Sequence, residues 1–111
     1  MSLFRMHILI PVDEGTVQAG AFEVKRQLEK QLQERNLDQE IKVLETGTVG
    51  IVGKGVILAM FPERIYYTRV KSADIPRIVE EHLIKGRAVK DLEPFTLDLQ
   101  SGMKDLHQVG P

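Results

Sequence analysis

The sequence contains no cysteine and no tryptophan, and only two tyrosines and four phenylalanines occur among its 111 residues. Without cysteine the chain cannot form disulfides, use a thiol in catalysis, or hold zinc or an iron–sulfur cluster through thiolates. Neither sign of charge is in excess, since 15 basic residues stand against 16 acidic ones and the net charge is −1. Nucleic-acid-binding domains usually show a basic surplus and stacking aromatic side chains, so nucleic acid is not an expected partner.

Long hydrophobic runs are also missing. The longest apolar run spans residues 56–61, far short of the roughly 20 residues that cross a bilayer. The first residues lack the cleavage pattern of a signal peptide, so we expect no membrane insertion and a cytoplasmic location. With 42% hydrophobic and 28% charged residues, the composition is typical of a soluble domain with one core.

The first half of the chain predicts a strand, a helix and a second strand. Residues 4–11 form a short segment with β-branched side chains that ends at Pro11, which is typical of a buried strand. Between Gly20 and Arg35 the apolar residues follow the period of an amphipathic helix. Its predicted buried stripe consists of Ala21, Val24, Leu28 and Leu32. Residues 41–45 alternate as a second strand, which a helical crossover places parallel to the first.

The second half predicts a hairpin followed by a last helix. Two apolar segments within residues 56–70 flank a turn at Pro62. Ser72 or Asp74 can cap the helix that follows, and Gly86 can end it. The predicted buried stripe of this helix consists of Ile75, Ile78, Val79 and Leu83.

This order of elements predicts an α/β fold. A parallel strand–helix–strand unit, joined to an antiparallel hairpin and a final helix, forms a mixed four-stranded sheet with helical cover. We expect residues 1–92 to form this domain and residues 93–111 to form a C-terminal tail. Phe95, Leu97 and Leu99 alternate with polar residues, so the tail is either a short added strand or a docking arm.

The glycine-rich segment after the second strand has some features of a phosphate-binding loop. Such a loop needs four residues between its glycines, then Lys, then Ser or Thr, and a helix after it. Here Gly47 and Gly53 enclose five residues, Gly55 takes the hydroxyl position, and a predicted strand follows. The pattern therefore favours a turn whose glycines permit positive φ angles over a nucleotide site.

The remaining polar residues form few recognisable constellations. His7, His82 and His107 lie in different predicted elements without a second metal ligand at suitable spacing. We expect His82 at the edge of the buried stripe of its helix. Asp13 and Glu14 follow the first strand, where α/β domains often place functional groups, and they form either an acid–base pair or a solvated turn.

Several strings, taken in order, resemble one family. Gly20 and Ala21 open a charged helix, VLETGTVGIVGKG follows the second strand, RIYYTRV lies in the hairpin, and DIPRIVEEHLIKGRAV forms the last helix. From about His7 to Leu92 the chain is similar to the thioredoxin-like 2Fe-2S ferredoxin domain. That domain occurs in complex I-type NADH dehydrogenases and in related NAD(P)-reducing hydrogenases and formate dehydrogenases. The resemblance implies a thioredoxin-like fold.

The same resemblance locates four missing cluster ligands. In that family four cysteines hold the cluster, as one pair five residues apart after the first strand and one pair four residues apart after the second. The corresponding positions here are Pro11 and Thr16, then Thr48 and Val52. None of these residues supplies a thiolate, so the resemblance implies that this chain has no cluster and no cofactor. Their side chains either complete the core or leave the second loop exposed at its tip.

The vacated positions leave three functions open. The first is a non-catalytic module that binds a flavin- or iron–sulfur-containing NAD(P)H-oxidising subunit through a loop tip at Val49, Ile51 and Val52. The second is a redox carrier whose metal is held by oxygen or nitrogen, although hard oxygen ligands do not favour a 2Fe-2S core. The third is a small ligand-binding or enzymatic domain that uses Asp13 or Glu14 in the vacated cavity. The missing thiolates favour the first function, and self-association into a homodimer is left open.

Overall fold

A single mixed sheet runs through the computed structural model, which describes residues 4–47, 53–98 and 102–105. Its six strands are β1 Met6–Pro11, β2 Ile41–Thr46, β3 Leu58–Phe61, β4 Ile65–Tyr67, β5 Phe95–Asp98 and β6 Gly102–Asp105. They lie side by side in the order β2-β1-β3-β4-β5-β6. β1 and β2 are parallel, and all other neighbours are antiparallel.

This sheet confirms the predicted α/β class and the parallel first pair, but the predicted number of four strands was wrong. The additional strands β5 and β6 come from the C-terminal tail, and β5 joins β4 through the pairs Ile65↔Thr96 and Tyr66↔Phe95. This pairing shows that residues 95–98 of the tail extend the sheet. The sequence alternation could not show this, because it does not indicate whether a free strand edge lies beside the segment.

Helix α1, Glu14–Gln18, and helix α2, Ala21–Glu34, connect β1 to β2. The buried residues of α2 are the four that the periodicity predicts, Ala21, Val24, Leu28 and Leu32. The helix ends where Asn36 adopts a φ of 58°. On its exposed side Lys25 Nζ lies 2.9 Å from Glu45 Oε2 of β2. This hydrogen bond and the negative charges of Glu29 and Glu45 raise the pKa of Lys25.

The last helix is a continuous run of three helical types. A 3-10 turn at Ser72–Asp74 leads into an α-helical turn at Ile75–Arg77 and a π-helix at Ile78–Ile84. Neither Ser72 nor Asp74 is the N-cap residue, which is Lys71, and the Asp74 carboxylate accepts a hydrogen bond from the backbone N–H of Lys71 at 2.9 Å. Gly86 ends it with a φ of 74°, as predicted. A second 3-10 turn, Lys90–Leu92, follows.

The main core lies between the helices and one face of the sheet, because alternate strand residues point to that side. Its fully buried members include Ile8, Ile10, Leu28, Leu58, Met60, Tyr67, Ile75 and Ile78. A smaller cluster of Ile57, Ala59, Tyr66 and Phe95 lies on the alternate strand positions. Within the described residues, no helix is long and apolar enough to cross a membrane.

Strand β2 forms one edge of the described sheet. Lys42 and Glu45 are exposed along this edge, and Leu44 between them is 37% exposed. Its other side pairs with β1 over the whole length, from Met6↔Ile41 to Pro11↔Thr46. The carboxyl ends of both parallel strands therefore lie at the same end of the sheet.

Candidate functional site

The first pair of expected ligand positions lies where β1 passes into α1. Pro11 is the buried last residue of β1 and pairs with Thr46 of β2. Thr16 lies in the first turn of α1 and is 6% exposed. Both side chains are thus part of the folded interior, which supports the interpretation that residues at this half of the site complete the core.

Asp13 and Thr16 cap helix α1 reciprocally. The backbone N–H of Thr16 donates to Asp13 Oδ1 at 2.8 Å, and the backbone N–H of Asp13 donates to Thr16 Oγ1 at 2.9 Å. The Thr16 hydroxyl lies 3.2 Å from the carbonyl oxygen of Asp13, to which it donates. This capping box supplies hydrogen-bond acceptors to two backbone N–H groups that have no partner within the helix. The hydroxyl at this ligand position is therefore engaged by its own loop.

The cap gives Asp13 a structural role, whereas Glu14 is exposed in the first turn of the helix. A carboxylate there interacts favourably with the positive end of the helix dipole. The sequence carried part of the signal for this arrangement, because Asp is a preferred residue at the N-cap of a helix. The geometry therefore explains both carboxylates without a ligand.

The second pair of positions, Thr48 and Val52, lies outside the described residues, as do Val49 and Ile51 of the expected partner-binding patch. The described residues on either side, Gly47 and Gly53, are exposed. Because Pro11 pairs with Thr46, the strand residues that precede the two ligand loops are neighbours in the sheet. The fold thus brings the starts of the two ligand loops together, as the resemblance implies.

The glycine-rich segment continues from this loop into β3 rather than into a helix. Gly53 and Gly55 have φ angles of 72° and 65°, as expected for a turn built on positive φ. Lys54 accepts a hydrogen bond through its carbonyl oxygen from the backbone N–H of Arg69 at 2.8 Å. A Cβ atom on Gly55 would lie 3.2 Å from Arg69 Cα, so only glycine fits here without displacement.

The residues at the four ligand positions do not fit a 2Fe-2S cluster. Such clusters are held by thiolate sulfur, and the chain has no cysteine. Proline and valine have no side-chain donor atom, and the hydroxyl of Thr16 is engaged in the helix cap. In the part of the chain that the structure describes, no group of three or more His, Asp or Glu side chains could hold a metal ion.

Sequence reasoning missed a buried polar chain that joins the hairpin to the last helix. His82 Nδ1 lies 2.7 Å from Tyr67 Oη, and His82 Nε2 lies 2.8 Å from Glu63 Oε1. The backbone N–H of Val89 donates to Tyr67 Oη at 2.9 Å. His82 is only 1% exposed, so it lies inside the core and not at the edge of the helix stripe. No local pattern indicates this contact, because its members are far apart in sequence.

One placement of the hydrogen atoms gives every group in this series of hydrogen bonds a donor or acceptor partner. Tyr67 Oη accepts from Val89 and has a single hydrogen, which it donates to His82 Nδ1. The other imidazole nitrogen then carries the hydrogen and donates it to Glu63. Burial raises the pKa of Tyr67 to about 12, so its hydroxyl remains a donor at neutral pH.

Relatives of the chain were found by sequence and by structure, although no family model matches it. The chain is 35% identical over 74 residues to a 2Fe-2S ferredoxin from Clostridium pasteurianum, with 67% of this chain and 72% of the relative covered. It also superposes on a thioredoxin-like [2Fe-2S] ferredoxin from Aquifex aeolicus with a TM-score of 0.75 and 24% identity, covering 81% of this chain and 90% of that chain. A variant of that ferredoxin with one cysteine changed to serine gives a TM-score of 0.74 and 25% identity over 78% and 95% of the two chains.

The two kinds of similarity support different conclusions. The Aquifex structures share the thioredoxin-like fold with this chain, including its mixed sheet and helical cover. The clostridial sequence is similar enough, over enough of its length, to show common family membership. With this fold, this sequence similarity and no cysteine at any position, the chain belongs to the family of thioredoxin-like 2Fe-2S ferredoxins as a member without thiolate ligands for a cluster.

Proposed function

We propose that the chain is a cluster-free accessory module that binds a protein partner in an NAD(P)H-linked oxidoreductase complex. The observation that carries this proposal is membership of a ferredoxin family in a chain that has no cysteine. Since the thiolates are missing, electron transfer through a 2Fe-2S cluster is not available to it. What the chain retains from its family is a folded surface, so its role is non-catalytic and cofactor-free, and we place it in the cytoplasm.

The self-capped first loop supports this role. Asp13 and Thr16 pair the backbone of α1 without help from a metal ion. Pro11 continues β1 to the end of its pairing with β2. The first ligand loop of this chain is therefore a hydrogen-bonded helical turn, and a fixed turn loses little conformational entropy when a partner binds.

The proposed contact surface is the tip of the second loop, at Val49, Ile51 and Val52. Contiguous apolar residues at an exposed loop tip are typical of a protein-binding site. The neighbouring Gly47 and Gly53 are exposed. The family resemblance supplies the class of partner, a flavin- or iron–sulfur-containing subunit that oxidises NAD(P)H.

The proposal is tested by anaerobic affinity purification of the tagged full-length chain from its native host. Co-purifying chains are identified by mass spectrometry, and the absorption spectrum of the eluate reports flavin or iron–sulfur groups. A variant with aspartate at Val49, Ile51 and Val52 should lose the partner. Ile84→Asp is the control, because it places one negative charge on an apolar side chain of the last helix that is 46% exposed.

Stoichiometric recovery of a flavin- or iron–sulfur-containing subunit with the wild-type chain and the Ile84 variant, but not with the loop variant, supports the proposal. Recovery of the chain alone contradicts the accessory role. Equal recovery of the partner with all three proteins contradicts the assignment of the loop tip.

A further inference from the structure

Tyr67, His82 and Glu63 form a path along which a proton can leave a buried phenol. The Tyr67 side chain is fully buried, and its Oη lies 2.7 Å from the imidazole Nδ1 of His82. At this distance a hydrogen-bonded proton can pass between the two atoms. The opposite imidazole nitrogen lies 2.8 Å from Glu63 Oε1, which continues the path by one step.

We propose that Tyr67 is a redox-active tyrosine that gives one electron to an outer-sphere one-electron oxidant while its proton moves to His82. The oxidant gains the electron, and the O–H bond of Tyr67 breaks to leave a neutral phenoxyl radical. Nδ1 of His82 takes this proton, and Nε2 passes its own proton to the Glu63 carboxylate. The imidazole thus gains one proton and loses one, and reduction of the radical reverses each transfer.

Burial makes the proton transfer necessary. A phenol that loses an electron without losing its proton becomes a cation, which is costly in an apolar interior. The pKa of Tyr67 is raised to about 12, so a phenolate is not available as an alternative electron donor at neutral pH. A neutral radical avoids both charged forms, provided that a base lies within hydrogen-bonding distance.

The hydrogen bonds remain satisfied after the step. The new Nδ1–H group of His82 donates back to the phenoxyl oxygen, and the backbone N–H of Val89 continues to donate to it. The protonated carboxyl of Glu63 donates to Nε2. The Glu63 side chain is 37% exposed, so its proton can exchange with water. Only hydrogen positions change, and the surrounding atoms stay where they are.

Tyr66 provides an internal comparison. It is also buried, but its aromatic contacts are with Phe61 and with Phe95, whose ring stacks on it at 5.7 Å. In the described residues, Tyr67 is the tyrosine whose hydroxyl contacts an imidazole. Any oxidation that depends on the neighbouring base should therefore distinguish two adjacent tyrosines.

The experiment is flash-quench oxidation of the full-length chain by a ruthenium(III) polypyridyl complex, with detection of the tyrosyl radical by transient absorption and electron paramagnetic resonance. The radical should form in the wild-type chain and in Tyr66→Phe but not in Tyr67→Phe. Replacing the terminal acceptor by Glu63→Gln should slow its formation about 100-fold, the lower end of the effect of a positioned proton acceptor. Glu34→Gln, which changes an exposed carboxylate of α2, is the matched control and should leave the rate unchanged.

Two results would overturn the proposal. One is a radical that persists in Tyr67→Phe and disappears in Tyr66→Phe. The other is a rate of radical formation that is unchanged by Glu63→Gln and is also unchanged when the wild-type protein is measured in heavy water instead of light water. The Glu63 variant changes a side chain at an exposed turn, so it keeps the test decisive even if the substitution of buried Tyr67 prevents folding.

Discussion

At the scale of single residues, two hydroxyl groups pair backbone N–H groups that would otherwise lack partners. Thr16 Oγ1 accepts from the N–H of Asp13, and Tyr67 Oη accepts from the N–H of Val89. An unpaired backbone group in the interior costs as much as a lost hydrogen bond. Both hydroxyls therefore contribute to stability, and Thr16 does so at a position where the family carries a cluster ligand.

Thr16→Ala should lower the free energy of unfolding by about 1 kcal/mol, the usual cost of losing a helix-capping side chain. Thr16→Ser is the control, because it keeps the hydroxyl and removes only the methyl group. Urea denaturation followed by circular dichroism measures both. Equal loss in the two variants would show that burial of the methyl group, and not the cap, matters at this position.

Tyr67→Phe should lower the free energy of unfolding by about 1 to 3 kcal/mol, because it leaves Val89 and His82 without their shared partner in the interior. Tyr66→Phe, which keeps the ring stack on Phe95, should cost less. Thermal and urea unfolding at neutral pH measure the two variants. A larger loss in the Tyr66 variant would contradict the hydrogen-bond assignment.

Alkaline pH should destabilise the fold through Tyr67. Its pKa is about 12 in the folded chain, against an ordinary value of 10.0, so between these values the folded state binds the proton more strongly than the unfolded state. The contribution of Tyr67 to the free energy of unfolding is fully present below pH 10. It is lost as the pH rises towards 12, by about 2 to 3 kcal/mol in total. Tyr67→Phe should lack this component, which is seen as a shallower decline in unfolding free energy from pH 9.5 upward. Parallel declines in the two proteins would contradict it.

At the scale of elements, the periodic patterns predicted what local sequence determines. The apolar stripe of α2 and the first two strands were predicted correctly, because the period of the side chains reports the face that each element buries. β5 was not resolved as a strand by the same reasoning, since its formation depends on the edge that β4 offers. The predicted cap of the last helix, Ser72 or Asp74, was wrong by at least one residue, because the N-cap is Lys71 and Asp74 accepts from its backbone N–H as the third residue of the turn.

Two glycines near the start of β3 form a matched pair for testing local packing. Both have positive φ, so Gly53→Ala should cost about 1 kcal/mol for the left-handed backbone alone. Gly55→Ala adds contact of the new methyl group with Arg69 Cα at 3.2 Å and should cost at least about 1 kcal/mol more. The difference between their midpoints in urea measures this packing. Equal midpoints would contradict the close approach.

At the scale of the whole molecule, the fold class and the parallel pair could be predicted, while the polar chain of the interior could not. Glu63, Tyr67 and His82 come from a turn, a strand and a helix, and only the assembled fold brings them together. The vacated ligand positions were identified by resemblance, but the capping role of Thr16 depends on the backbone of α1. Local periodicity determines elements, and tertiary packing determines which of their polar atoms meet.

The assignment of the four ligand positions predicts how the whole chain responds to iron. After anaerobic incubation with iron and sulfide, the wild-type chain should retain no iron–sulfur chromophore. A variant carrying Pro11→Cys, Thr16→Cys, Thr48→Cys and Val52→Cys should acquire one, because thiolates then occupy all four positions. Iron analysis and the absorption spectrum measure the outcome. A three-cysteine variant that keeps Pro11 is the control, and equal iron in both variants would contradict the assignment.

The exposed edge at β2 has a consequence for behaviour at high concentration. An open strand edge offers unpaired N–H and C=O groups to any other extended chain, and charged side chains on it oppose such pairing. Lys42 and Glu45 are exposed along β2, and Glu45 is held in place by Lys25 at 2.9 Å. In concentrated solution these charges oppose fibrous aggregation through this edge. Replacing both residues by valine would remove that protection and leave an edge strand that can template amyloid-like growth.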